Sequence, residues 1–293
     1  MKNRLAVLLF ICGGCFDPDL TSKSCIDDKG CPEGYVCVAG KCAKSNGVDL
    51  SLDPHPKRIE VEVKVSESGS FYMGTNLADG LNDKPIFLRN VPAPYFLDER
   101  EVTVADYRAC VDAKVCDKPV TGPFGSQGWI CSYGAAGKDQ HPVTCVSKTQ
   151  AEAFCTWMGR RLPTEAEWEF AALGKNGADT INQRLVFPGS LGNNACWNQN
   201  GTCPVATYVR TYLGQIVTGD KPGFYDLLGN AWEKTASPFC LYPAETCTTD
   251  KFSVRGGSGF DSDPQVSKAT SRLSHTATDY YPNVGFRCAR TAP

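Results

Sequence analysis

The sequence predicts one large domain of mixed helix and strand, preceded by a small cysteine-rich module. Ile59, Val61, Val63 and Val65 alternate with polar or charged residues, which is the period-two pattern of a half-buried strand. Further along, three short segments carry helix-capping signals, and long helices are few. There are 16 cysteines in 293 residues, a content that predicts disulfides and an oxidising compartment.

Residues 1–15 are typical of a targeting leader. Lys2 and Arg4 precede the uncharged apolar run 5–11, which is too short to span a bilayer. Small residues directly before Cys15 resemble a bacterial lipoprotein cleavage site, so we expect lipidation of Cys15 and export to the cell envelope. Ordinary signal cleavage followed by secretion is the alternative. A lipid anchor would hold the protein at a membrane surface.

Residues 16–45 form the predicted small module. Its cysteines are Cys25, Cys31, Cys37 and Cys42. So short a segment cannot bury a useful core, and cross-links must hold it. Residue order leaves three connectivities open, of which we favour the interleaved pairs Cys25–Cys37 and Cys31–Cys42. The segment is similar to cysteine-rich modules of the EGF-like kind, although a simple spacer is the alternative.

Residues 46–58 are polar and proline-containing and predict a linker. Residues 59–293 then form one domain without an internal repeat. The net charge is −2, the pI is about 6, and no basic run occurs, so we expect no nucleic-acid partner. No G-x-S-x-G, H-E-x-x-H or phosphate-loop motif indicates a separate enzyme class.

Three capping boxes predict where the helices begin. They pair Thr103 with Asp106, Ser147 with Gln150, and Thr164 with Glu167. The first helix is expected from about Val104 to Ala113. The second has one apolar face and ends at Gly159, whereas the third directs Trp168 and Ala172 inward and ends at Gly174. The apolar face of the second helix comprises Ala151, Phe154, Cys155 and Met158.

The run from Arg160 to Glu169, RRLPTEAEWE, resembles the central signature of the formylglycine-generating enzyme family, whose domains are also called sulfatase-modifying factor domains. Other motifs follow in the family's order. They lie at residues 71–74, 95–107, 141–143, 225–233, 255–258 and 285–288. The resemblance covers roughly residues 59–291. It implies a single, irregular α+β domain with limited regular secondary structure, related to C-type lectin-like folds.

Active members of this family oxidise a sulfatase cysteine to formylglycine, using copper held by two cysteines just after the Gly-Gly-Ser motif. In this sequence those two places fall at Asp261 and at about Val266. Neither residue supplies the soft thiolate that Cu(I) prefers. Ser258 and Trp232 still match the family's pocket, but we assign no catalytic residue and expect neither bound copper nor formylglycine generation.

Some relatives bind non-haem iron through histidines that come largely from a separate helical domain, which this sequence does not contain. The histidines here are His55, His141 and His275. A site of two histidines and one carboxylate, built from His141 and His275, is the iron-binding alternative. We expect surface or capping roles for these residues instead, and therefore no iron.

Calcium is the cofactor that the resemblance implies. The family's calcium ligands match Asp226, Gly229, Ala231 and Glu233. Two carboxylates and two backbone carbonyls on a tight loop suit a hard cation that takes six to eight oxygens. The alternative is a turn that carries surface acids. Lys234 departs from the family, which usually has tryptophan at this place.

The resemblance also implies a disulfide between Cys155 and Cys288. Short spacing then suggests Cys110–Cys116, Cys196–Cys203 and Cys240–Cys247, and Cys131–Cys145 is the remaining pair. We expect all ten cysteines to be structural, because none lies in the electropositive setting that makes a thiol reactive.

Together these observations predict an exported, non-catalytic, calcium-stabilised binding module whose partner is an unidentified protein or glycan. An oxidoreductase of the formylglycine-generating or non-haem iron type, using a different metal site, is the alternative function. A structural surface protein without a defined ligand is a third.

Overall fold

The computed structural model describes residues 35–38, 41–44, 62–76, 82–91, 94–126, 128–175, 195–244, 246–263, 266 and 268–292. The chain divides into two compact units, Met1–Ile59 and Glu60–Pro293. In the first unit, β1 (Tyr35–Val38) and β2 (Lys41–Lys44) form an antiparallel hairpin. The leader with Cys15, the linker, and Cys25 and Cys31 lie outside the described residues, so lipidation and the interleaved pairing stay predictions.

The described part of the second unit consists of short strands and three short helices. The strands are β3 (Glu62–Val65), β4 (Gly69–Met73), β5 (Phe87–Val91), β6 (Tyr95–Asp98), β7 (Gly122–Phe124), β8 (Trp129–Cys131), β9 (Arg210–Tyr212), β10 (Gln215–Val217), β11 (Trp232–Pro238), β12 (Lys251–Arg255), β13 (Arg272–Thr276), β14 (Val284–Gly285) and β15 (Ala289–Thr291). The helices are α1 (Val104–Asp112), α2 (Lys148–Trp157) and α3 (Glu165–Leu173). This confirms the predicted irregular α+β class.

The largest sheet has the order β13-β12-β11-β14, with β14 parallel to β11 and the other pairs antiparallel. A second sheet has the order β15-β6-β3, and β4–β5, β7–β8 and β9–β10 form hairpins. Val63 and Val65 of β3 are buried, as the alternation predicts. Ile59 and Val61 lie outside the described residues.

All three predicted helix starts are confirmed. In each helix the capping hydroxyl accepts from the backbone N–H three residues on, and the side chain at that position bonds back to the cap. The cap residues Thr103, Ser147 and Thr164 therefore satisfy amide groups that a helix start would leave unpaired. Gly174 ends α3 with φ of 70°.

Helix α3 is more buried than its sequence pattern predicts. The sequence predicts that Trp168 and Ala172 face inward, and the structure buries them together with every other residue from Glu165 to Leu173. Three of these are glutamates, and each has an arginine partner. The pairs are Glu165–Arg272, Glu167–Arg161 and Glu169–Arg255. Pairing is what permits carboxylates to be buried on every side of a helix.

The four-stranded sheet has two chemically different faces. Glu233, Arg255 and Arg272 are neighbours across β11, β12 and β13, and they form a charged row. Arg255 and Arg272 pair with glutamates of α3, so this face packs on the helix. Lys234 follows Glu233 on β11. Because successive side chains of a strand point to opposite faces of the sheet, Lys234 and its cross-strand neighbours lie on the other face.

Five disulfides cross-link the described part of the second unit, and they are the five pairs expected from the sequence. They join Cys110–Cys116, Cys131–Cys145, Cys155–Cys288, Cys196–Cys203 and Cys240–Cys247. Cross-links of this number fit an extracellular protein. Within the described residues, no helix combines the length and the apolar character needed to cross a bilayer.

Removal of the long-range disulfide is expected to destabilise the domain most. Cys155 and Cys288 are separated by 133 residues, so the C155A/C288A variant should lose about 5 kcal/mol of unfolding free energy in the chain-entropy model. The matched control is C110A/C116A, which opens a separation of 6 residues and should lose only about 2 kcal/mol. Urea unfolding measures both, and equal losses would contradict the loop-entropy explanation.

Candidate functional site

The predicted metal loop is a tight turn that leads into β11. Asp226 and Asn230 both have φ of 56°, and Gly229 has φ of 82°. A Cβ on Gly229 would lie 2.3 Å from the carbonyl oxygen of Cys196, so only glycine fits there. Backbone bonds from Gly229 N–H to Gly256 O and from Asn230 N–H to Cys196 O tie the turn to two neighbouring loops.

Glu233 does not present a free carboxylate at this loop. Arg287 binds it through two hydrogen bonds, from Nε to Oε2 and from Nη2 to Oε1, each 2.7 Å long. The indole Nε1–H of Trp168 also donates to Oε2, at 2.8 Å. Glu233 and Arg287 are both fully buried. Glu233 is therefore one half of a buried ion pair in this structure.

A third carboxylate lies in the same cluster, and sequence reasoning missed its role. Glu101 Oε1 accepts the Ala231 N–H at 3.0 Å, and Oε2 accepts Nδ2–H of Asn230 at 2.6 Å. Burial, followed by the charges of Asp226 and Glu233, raises the pKa of Glu101 well above its usual value. Glu101 belongs to one of the motifs noted above, but its contact with residues 130 positions away is invisible in the sequence.

Asp226 keeps one carboxylate oxygen without a protein partner. Its Oδ2 accepts the Ala206 N–H at 2.9 Å, whereas Oδ1 is buried and has no hydrogen bond. Burial raises the pKa of Asp226 to about 6. The residue lines a small cavity together with Tyr208 and Thr211. Of the two predicted carboxylate ligands, Asp226 alone offers an unoccupied oxygen to a cation.

The predicted calcium site therefore fits this structure only in part. Asp226 suits a hard cation, but the carboxylate of Glu233 is occupied by Arg287 and Trp168. Among the described residues, no three His, Cys, Asp or Glu side chains are grouped so as to hold a metal ion. Calcium at this loop stays a prediction that rests on Asp226.

The two predicted pocket residues, Trp232 and Ser258, converge on Asp261. Asp261 Oδ2 accepts from Trp232 Nε1 at 3.0 Å, from the Ser258 amide at 2.7 Å and from Ser258 Oγ at 2.9 Å. Burial raises the pKa of Asp261. Val266, at the second predicted thiol position, packs against the apolar cluster that contains Trp232. One carboxylate thus engages both side chains of the pocket.

Lys234 is buried on the sheet face opposite Glu233. Its Nζ donates to the backbone oxygen of Asp279 at 3.2 Å, and burial lowers its pKa to about 8. His275 lies on β13 with its ring 4.7 Å from that of Tyr281. His141 is instead bonded to Thr202, at 3.0 Å from its Nδ1. His141 and His275 therefore contact different residues, Thr202 and Tyr281. His55 lies outside the described residues.

An aromatic hairpin lies beside the pocket. Phe124 and Trp129 are cross-strand partners in β7–β8 and share one face. The Phe124 ring contacts Tyr280, at a centroid distance of 6.0 Å, and Trp129 contacts Phe260 at 5.0 Å. Because Phe260 precedes Asp261 directly, the hairpin borders the position at which the family resemblance places the metal.

Loss of the buried Arg287 should be far more costly than loss of an exposed arginine. Arg287→Met leaves the Glu233 carboxylate buried without a counter-charge, which is expected to cost about 3–5 kcal/mol of unfolding free energy. Arg108→Met is the matched control, because Arg108 pairs with Asp139 at the surface and should cost less than about 1 kcal/mol. Urea unfolding of both variants tests this, and similar losses would contradict the buried-pair interpretation.

His275 should contribute to the acid pH dependence of stability. Burial, and then the charge of Lys234, lowers its folded pKa from 6.5 to about 4. The unfolded chain therefore binds a proton at His275 between these two values, so the contribution of His275 to stability should fall as the pH drops from 6.5 towards 4. His275→Gln should remove this contribution, so the difference in unfolding free energy between the variant and wild type should change with pH over this range in urea unfolding, whereas His141, whose pKa burial also lowers to about 4, keeps its own contribution in both proteins. An NMR titration that places the pKa of His275 near 6.5 would contradict the prediction.

Comparisons with protein-family models and with known proteins identify relatives of this chain. The model of the sulfatase-modifying factor enzyme 1-like domain matches residues 51–292. An inactive C-alpha-formylglycine-generating enzyme 2 from Bos taurus is 29% identical over 272 residues, covering 76% of this chain and 86% of the relative. A formylglycine-generating enzyme from Mus musculus is 31% identical over 336 residues, covering 90% of this chain and 89% of the relative.

Among solved structures, PvdO from Pseudomonas aeruginosa has a TM-score of 0.58 at 21% identity, covering 79% of this chain and 94% of that chain. This likeness shows a shared fold. The family model and the Mus musculus relative each cover most of the chain. The chain belongs to the family of sulfatase-modifying factor enzyme 1-like domains.

Proposed function

We propose that this protein is an exported, non-catalytic binding module built on the formylglycine-generating fold. The observation that carries the proposal is the triple hydrogen bond to Asp261, from Trp232 and from two groups of Ser258. In active members of the family, thiols at this place would bind copper. Here the carboxylate engages the two pocket residues that would otherwise serve the reaction.

The chemistry of the two substituted positions supports this proposal. A carboxylate is a hard ligand, and a valine side chain has no donor atom at all, so the pair does not suit Cu(I). Asp261 already accepts three hydrogen bonds through one oxygen, which further reduces its capacity to bind a metal. The resemblance of the chain to an inactive relative is consistent with the same function.

Export and calcium complete the proposal. Export is supported by the disulfides and by the leader-like residues 1–15, with Cys15 as the anchoring residue. Calcium is supported at Asp226, whose Oδ1 is buried without a partner. The bound partner would be a protein or a glycan. Tyr280, which is exposed beside Phe124, is of the residue type enriched at binding surfaces.

The proposal predicts that the natural protein neither binds stoichiometric Cu(I) nor forms formylglycine. The test uses the full chain with its disulfides intact, a Cu(I) competition titration, and a sulfatase peptide that contains the cysteine normally modified. Mass spectrometry reports the peptide's aldehyde. The expected result is no metal-dependent conversion, because positions 261 and 266 lack thiols.

The matched variant is D261C/V266C, which restores both thiols without changing Trp232 or Ser258. It should bind one Cu(I) that the natural protein does not bind, since thiolates are the ligands that this ion prefers. Turnover of the peptide by the natural protein, with copper or with iron, would refute the non-catalytic assignment and support an oxidoreductase.

A further inference from the structure

We propose a cation-binding site, separate from the loop of Asp226, at the turn that leads into β5. Its central residue is Asp83, and its ligand is a hard cation of about calcium size, either Ca²⁺ or Na⁺. Asp83 is fully buried, and neither of its carboxylate oxygens has a hydrogen-bond partner. Among the described residues, it is the one carboxylate for which both oxygens are in this situation.

Other buried carboxylates show how unusual this is. Asp98 pairs with Arg160, Glu169 with Arg255, and Glu233 with Arg287. An ionised carboxylate taken out of water without a partner carries a penalty of several kcal/mol. A bound cation would remove that penalty at Asp83, as the arginines do at the other sites.

The surroundings of Asp83 are rich in oxygen. The point where a Cβ would stand on Gly74 is 2.7 Å from Asp83 O, 2.8 Å from Pro85 O and 3.1 Å from Cδ2 of Tyr242. Gly74, with φ of 82°, leaves this point free of side chain. The backbone oxygens of Asp83 and Pro85 thus both approach Gly74, and Asp83 O accepts the Thr75 N–H at 2.8 Å. These carbonyls lie in the same turn as the unpartnered Asp83 carboxylate.

The neighbouring arginine is already engaged. Arg272 donates from Nη1 to Asn82 O at 3.3 Å and to Cys240 O at 2.6 Å, and from Nε and Nη2 to Glu165. No salt bridge of Asp83 to a described lysine, arginine or histidine is formed. Carboxylate and carbonyl oxygens suit a hard cation rather than a soft one.

The test uses the full-length oxidised chain after dialysis against a chelator and then against choline chloride. Thermal unfolding is followed on addition of CaCl₂ and, separately, of NaCl, with ionic strength held constant by choline chloride. A cation at about 100 times its dissociation constant should raise Tm by roughly 5–10 °C. The salt that produces the shift identifies the ion.

Asp83→Asn keeps the shape of the side chain but removes its charge, and it should abolish this shift. Asp226→Asn is the matched control, because it removes the carboxylate of the other predicted site and should retain the shift assigned to Asp83. Cation binding by the wild-type chain, measured directly, keeps the test decisive even if Asp83→Asn folds poorly. Terbium luminescence, with tyrosine excitation, gives the number of sites and their affinities for each variant.

Three results would overturn the proposal. The first is a cation-dependent shift of the same size in wild type and Asp83→Asn. The second is no shift with either salt. The third is an Asp83→Asn variant that is more stable than wild type in choline chloride and remains so at saturating CaCl₂ and NaCl. None of these results affects the assignment at Asp261, because the copper experiment is independent of Asp83.

Discussion

The structure depends on the pairing of buried carboxylates with arginines where α3 packs on the four-stranded sheet. The helix is buried on every side and yet carries Glu165, Glu167 and Glu169. Desolvation of these charges is tolerated only because guanidinium groups reach them, one from Arg161 just before the helix and two from distant strands. Arg255 and Arg272, neighbours on β12 and β13, supply two of the partners. The same contacts therefore orient the helix and fix the sheet's inner face.

This network extends to the loop for which the sequence predicts calcium. Trp168 of α3 donates to Glu233, and Arg287 occupies both oxygens of the same carboxylate. A carboxylate that serves the core in this way is a weak candidate for a metal ligand. Asp226, with its unpartnered oxygen, is the part of the prediction that the geometry favours. The sequence predicts the same metal-binding role for Asp226 and Glu233. In the core, however, Arg287 binds Glu233, whereas Oδ1 of Asp226 has no hydrogen bond among the described residues.

Asp261 and Val266, which stand where the family resemblance places the copper-binding thiols, both make contacts with the predicted pocket residues. Asp261 accepts hydrogen bonds from Trp232 and Ser258, and Val266 joins the apolar cluster that includes Trp232. These contacts give both residues a role in packing or hydrogen bonding, so the fold does not need thiols at these two positions. The chain is similar both to a formylglycine-generating enzyme and to an inactive relative.

The sequence by itself determined the family, the three helix starts and the five disulfides of the described part of the second unit. Capping boxes such as Thr103 with Asp106 act over three residues, so local order specifies them. Only the tertiary structure decided which carboxylates are paired and which are not. Glu233 meets an arginine 54 positions away, and Glu101 meets a backbone amide 130 positions away. The carboxylate of Asp83 has no hydrogen-bond partner among the described residues. Desolvation and long-range geometry set these outcomes, and neither is encoded in residue spacing.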